Sequence, residues 1–224
     1  MRQGIWKLAT VFRATLALSA AVTAMTVSLQ TAVVSAAEAA TPTVPTVAFL
    51  SLDDYASMFG REAAAEIQPT TGPEVFRTTS GKLISTDSGK ALAPQRDPGG
   101  STPWYQALWA DTDKRGTYVP TRFGDANIGY SHYASRHNLI TSAPFRVIRN
   151  TSKPIVDQGA HIEYQALLTD LSNGSIKIKV RMVTQAANRT DDGRYVSPDG
   201  RNIGTITAYC EGVTKCPAWV NQIT

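Results

Sequence analysis

Residues 176–183, Ile-Lys-Ile-Lys-Val-Arg-Met-Val, alternate apolar and polar side chains without a break, directly after the turn pair Asn173-Gly174. A period of two is the mark of a half-buried β-strand, and Asn-Gly is a hairpin signal. The pattern predicts Ile176, Ile178, Val180 and Met182 on one face and Lys177, Lys179 and Arg181 on the other. Such a strand needs antiparallel neighbours and a second layer on its apolar side. Residues 161–169 supply one neighbour and residues 203–210 another, with Ile203, Thr205, Thr207 and Tyr209 expected on a common face. Asp192-Gly193 and Ser197-Pro198-Asp199-Gly200 mark turns between them. Upstream, residues 130–138 read as a helix entered from Gly129. Ser142 is a second N-cap, with Pro144 in the first turn and Lys153-Pro154 as the stop. Helices followed by an antiparallel meander give an α+β fold over residues 104–224, long enough for one core.

The first 39 residues read differently. Arg2, Lys7 and Arg13 precede an apolar run over 14–34, and small residues collect at Ser35-Ala36-Ala37-Glu38-Ala39. That order is the pattern of a secretory signal peptide, with cleavage after Ala36 or Ala39. A membrane anchor is the other reading, but Thr15, Ser19, Thr23, Thr26 and Ser28 interrupt the run. The expectation is a secreted, extracellular, monomeric protein with no stable membrane association after cleavage. Residues 40–103 read as a linker or partly ordered arm: 41–47 have linker composition, Leu52 to Phe59 has the spacing of a short helix, and 68–103 are poor in large apolar groups. Trp104-Tyr105-Gln106-Ala107-Leu108-Trp109 then opens the compact part.

The two cysteines, Cys210 and Cys216, stand six apart. In an exported chain this spacing reads as a disulfide closing a small loop. No further cysteine is available for a zinc site, so neither metal nor cofactor is expected.

All three histidines lie within residues 132–161, two of them in Gly129-Tyr130-Ser131-His132-Tyr133-Ala134-Ser135-Arg136-His137. Residues 121–224 also carry 12 Lys or Arg against 8 Asp or Glu, a positive balance that suits a polyanion. Histidine, cation and hydroxyl are the groups that cleave a phosphodiester without a metal: a base for the 2′-hydroxyl, an acid for the leaving oxygen, donors for the charge on phosphate. The candidate catalytic residues are His137, His132, Arg181, Thr207 and Tyr209. Arg136, Lys179, Thr205 and His161 are candidates for substrate binding. Five residues on a helix turn through about 140°, so His132 and His137 are not expected to share one face. Each group also has a plainer role: Lys177, Lys179 and Arg181 as a solvent face, the threonines as ordinary strand formers. No Gly-x-Ser-x-Gly elbow, His-Glu-x-x-His helix or Gly-x-x-x-x-Gly-Lys-Ser/Thr loop occurs.

The run Gly129 to His137, the strands after it, and the closing Gly204-Thr205-Ile206-Thr207-Ala208-Tyr209 together resemble nuclease toxins of the barnase/EndoU/colicin D/RelE-like class. The resemblance spans residues 129–210. It implies helices followed by an antiparallel sheet that carries the site, and metal-independent cleavage of RNA. His132, His137, Thr207 and Tyr209 correspond to it directly, and Arg181 by analogy of position. RNA and an inhibitor or immunity protein are the partners it implies. This chain continues into Cys210 where such toxins have proline. The alternative is a secreted, non-enzymatic domain binding a glycan, surface or protein through the aromatic cluster around Trp104 and Trp109. An enzyme should gather a histidine with Arg181 or Thr207, whereas a binding module should expose an aromatic patch.

Overall fold

The structure is a computed structural model that describes residues 43–60, 72, 74–87 and 102–224. The expected signal peptide lies outside the described residues, as do 88–101 of the expected arm.

Strand β1 (Thr46–Leu50) leads directly into helix α1 (Leu52–Phe59). Ser51 caps the helix: its Oγ accepts from Asp54 N at 3.0 Å, and Asp54 accepts in return from Ser51 N. Strands β2 (Val75–Thr78) and β3 (Leu83–Ser85) follow, then a separate hairpin of β4 (Ala107–Thr112) and β5 (Tyr118–Arg122). Helix α2 (Gly129–His137) comes next, then the short α3 (Ala143–Arg146), which continues as a 3-10 turn over Val147–Asn150. The last strands are β6 (Val156–Gln158), β7 (His161–Asp170), β8 (Ile176–Gln185) and β9 (Gly204–Cys210), and a 3-10 turn over Ala218–Gln222 follows.

The main sheet has the order β3-β2-β1-β7-β8-β9, with β6 also on β7. All pairs are antiparallel except β1 with β2. The α+β class is therefore what forms, but the helices do not precede the sheet, because β1 opens it. Nor does the ordered body wait for Trp104. Residues 46–59 and 75–85, expected as an arm, supply three strands and a helix. Two large side chains are enough to seat β2 and β3: Phe76 and Ile84 are fully buried. Pairing with the sheet edge satisfies the backbone, so a polar, Thr- and Ser-rich segment can still form strands.

One sheet face buries Tyr164, Ala166, Leu168, Val180, Met182 and Ala208 under Tyr130, Tyr133 and Phe145. On the other face, α1 sets Tyr55 on Leu50, Leu167 and Ile176. Tyr55 Oη donates to the Gly174 carbonyl at 2.8 Å, which fixes α1 to the β7–β8 turn. Farther along, this second face carries Glu163, Gln165, Arg181 and Thr207 with Val183 among them.

Two bulges correct the expected faces. Leu168 pairs with Ile178 but Thr169 with Ile176, so Lys177 is an extra residue in the ladder. Ile176 therefore joins the α1 side, and Lys177 Nζ lies 5.7 Å from the Phe76 ring, on the main-core side. Lys177 does not line a face with Arg181. On β9, Thr207 pairs with Val183 but Thr205 with Thr184, which makes Ile206 the extra residue. Thr205 thus turns into the core and Thr207 away from it. Alternation in a sequence assumes an unbroken ladder, and one inserted residue reverses it.

Candidate functional site

Helix α2 begins against β5. Ser131 N and Oγ both donate to the Phe123 carbonyl at 2.9 Å. Gly129, at φ 74°, opens the helix so near the strand that a Cβ there would stand 2.8 Å from the Arg122 carbonyl. Only glycine suits that backbone. Tyr130, Tyr133 and Ala134 then face the core. Asn138, at φ 53°, ends the helix and donates from Nδ2 to the Cys216 carbonyl at 2.9 Å.

His132 and His137 are left on the outer side, and their ring centroids are 6.0 Å apart. This is closer than their separation around the helix suggests. His132 Nδ1 lies 2.8 Å from the Ala126 carbonyl, and His137 Nδ1 lies 3.2 Å from the Thr214 carbonyl. A carbonyl only accepts, so the neutral form of each ring carries its hydrogen on Nδ1 and keeps Nε2 for chemistry.

From His137 the groups continue onto the sheet. Its ring lies 5.7 Å from that of Tyr209. Tyr209 is the cross-strand partner of Arg181, which in turn pairs with Gln165. Arg181 Nε stands 2.9 Å from Glu163 Oε2, a close ion pair without an aligned hydrogen bond, and 3.7 Å from Glu211 Oε1. Glu163 Oε1 meets His161 Nε2 at 2.9 Å. Gln165 Nε2 donates to Glu211 Oε1 at 2.8 Å. Burial opposes the charge on Arg181, but the Tyr209 hydroxyl and the carboxylates of Glu163 and Glu211 outweigh it and hold the guanidinium above its ordinary pKa.

His132, His137, Tyr209 and Arg181, all predicted from the sequence, are thus contiguous, and Glu163 joins His161 to them. Thr207 is on the same side, opposite Val183, which pairs in turn with Glu163. Its Oγ1 is enclosed with no hydrogen-bond partner among the described residues. Thr205 is not part of the site: it is buried, and its Oγ1 lies 3.0 Å from Thr121 Oγ1. Lys179 is 7 % exposed, opposite Leu167, too enclosed for a surface contact with substrate. Arg136 is exposed at the end of α2.

Glu163, Gln165 and Glu211 were not among the residues expected for RNA cleavage. The signal was present in His161-Ile162-Glu163-Tyr164-Gln165, where every second residue is polar. Glu211 carries no such signal, because it follows the strand and reaches the site through the turn.

The disulfide forms between Cys210 and Cys216. Among the described residues, no cluster of three or more His, Cys, Asp or Glu could hold a metal ion, and no helix is long and apolar enough to cross a membrane. A cleft of about 530 Å³ lies elsewhere, lined by Phe49, Leu50, Met58, Arg146, Val147 and Ile223 among others, and includes none of these site residues. The histidine face is the chemical candidate, because it gathers two imidazoles, a phenol and an ion-paired guanidinium on one surface. Compared with known protein families, curated proteins and solved structures, the chain matches none.

Proposed function

We propose that this chain is a secreted, metal-independent endoribonuclease whose site is the His132–His137–Tyr209–Arg181–Glu163 array. The observation that carries the proposal is the row His137–Tyr209–Arg181, a base beside a phenol whose cross-strand partner is an ion-paired cation. In this reading His137 Nε2 takes the 2′-hydroxyl proton and the 2′-oxygen attacks phosphorus. The bond from phosphorus to the 5′-oxygen breaks, and protonated His132 supplies that oxygen with its proton. The products are a 2′,3′-cyclic phosphate and a free 5′-hydroxyl. Arg181 and the Tyr209 hydroxyl hold the phosphate oxygens as charge builds. Glu163 orients Arg181 and is itself held by His161.

The aromatic cluster that favoured a binding domain is mostly spent on packing. Trp109 stacks edge-on to Tyr130, Trp104 packs on Tyr195, and Tyr105 is the exposed member.

The test is cleavage of labelled RNA in excess chelator by the full chain, beside His137→Ala and Arg181→Ala. The expected result is chelator-resistant cleavage that falls about 10²–10³-fold in either variant. Absence of cleavage by folded, disulfide-bonded protein on both structured and single-stranded RNA overturns the proposal.

A further inference from the structure

The segment from Glu211 to Cys216 reaches two members of the array, His137 and Arg181, and their neighbour Gln165. The Thr214 carbonyl faces His137 Nδ1 at 3.2 Å, and Cys216 N donates to the His137 carbonyl at 2.8 Å. Glu211 accepts from Gln165 and stands 3.7 Å from Arg181 Nε. Residues 212–215 are exposed, so packing does not hold this segment in place. Its ends are held by the buried Cys210–Cys216 bond, 1 % and 2 % exposed, together with Glu211 N donating to the Lys179 carbonyl, Asn138 Nδ2 donating to the Cys216 carbonyl and the buried Trp219 and Val220 beyond it. Without the cross-link, five residues from Glu211 to Lys215 would follow the end of β9 with little but these hydrogen bonds to shape them.

We infer that the Cys210–Cys216 loop is a positioning element for His137, so that the site is assembled only after the disulfide forms. This rests on the ribonuclease reading for its functional consequence. The oxidation is an exchange: the two thiols become the disulfide, and a disulfide donor of the exporting compartment is reduced to two thiols. In the reducing compartment where the chain is made, the Thr214 carbonyl is not held against His137 and the imidazole is free to exchange tautomers. After export the bond closes, Nδ1–H is fixed, and Nε2 is left as the base. A ribonuclease built this way is restrained until it leaves the cell that makes it.

The test compares the full chain with its disulfide closed, the same chain kept reduced, and Cys210→Ser/Cys216→Ser. Long-range proton–nitrogen NMR of ring-labelled histidine reads the tautomer of each ring, and RNA cleavage is assayed in parallel. His132, held by Ala126 ahead of α2, is the internal reference. The expected result is that opening the loop releases His137 from the Nδ1–H form and leaves His132 in it. Cleavage falls about 10²-fold and returns when reduced protein is oxidised with glutathione disulfide. An unchanged His137 in the open forms overturns the inference, as does simultaneous loss at both histidines, which marks general unfolding. If His137 responds as expected but the closed protein does not cleave RNA, the loop's positioning role stands and the ribonuclease reading fails.

Discussion

Arg122 and Asp199 meet across 77 residues in a two-point bond, Nη1 to Oδ2 at 3.1 Å and Nη2 to Oδ1 at 3.0 Å. Arg122 is 2 % exposed, and it also donates to the carbonyls of Tyr105, Asn202 and Ile203. It clasps the β4–β5 hairpin to the turn that leads into β9, the strand carrying Tyr209. Removing it leaves several acceptors unpaired. Arg122→Ala is expected to lose about 3–5 kcal/mol in urea unfolding. Asp199→Asn is expected to lose less, because that side chain is partly solvated and the backbone acceptors remain.

Gly204 provides a second test of the same junction. At φ 82°, a Cβ here would lie 1.9 Å from the Pro120 carbonyl oxygen, and backbone cannot step aside cheaply. Gly204→Ala is expected to destabilise by about 2–4 kcal/mol. A melting temperature within experimental scatter of the parent would contradict this close approach.

Thr205 and Glu163 separate stability from chemistry. Thr205→Val strands the Thr121 hydroxyl in the core, and a loss of about 1–2 kcal/mol with unchanged RNA cleavage is expected. Glu163→Gln keeps the volume and an acceptor oxygen for His161 but removes the negative charge beside Arg181. Cleavage is expected to fall about tenfold or more with little change in melting temperature, since Arg181 retains Glu211. The paired assays read the two effects independently.

The acid limb of stability follows from Asp113, Asp125 and Asp199. Burial raises the Asp113 pKa, but hydrogen bonds from Thr117, Tyr164 and Arg115 outweigh it and hold the carboxyl below its ordinary value. Burial likewise opposes ionisation of Asp125 and is overcome by Asn127 and Tyr195, while Arg122 is the main cause of the lowering at Asp199. Lowered pKa values in the folded state stabilise it fully above the unfolded carboxylate range. That contribution is lost as pH falls below about 4. Tyr164 works in the opposite direction: burial and Asp113 raise its pKa, so its contribution is lost as pH rises beyond about 10. Urea midpoints should be level between these limits and decline on both sides. Asp113→Asn should flatten the acid decline.

The sequence alone determined the elements whose cause is local. Helix α1, helix α2 and strands β7 to β9 follow from apolar period, turn residues and caps, and the disulfide follows from the spacing of Cys210 and Cys216. His132 and His137 were also within its reach as two of only three histidines, and Arg181 and Tyr209 as polar positions on strongly patterned strands. What lies beyond it is pairing between distant segments. Only the tertiary structure decided that β1 would join β7 at a separation of over a hundred residues and draw β2 and β3 into the sheet. It also decided that single extra residues at Lys177 and Ile206 would exchange the faces of Ile176 and Thr205. Glu163 became a partner of Arg181 through the register of β7 on β8, and Glu211 through the turn that follows β9. Side-chain period records what each segment prefers by itself. Register, bulges and ion pairing are settled by how well two remote segments satisfy each other, and that free energy is spread over residues no single window contains.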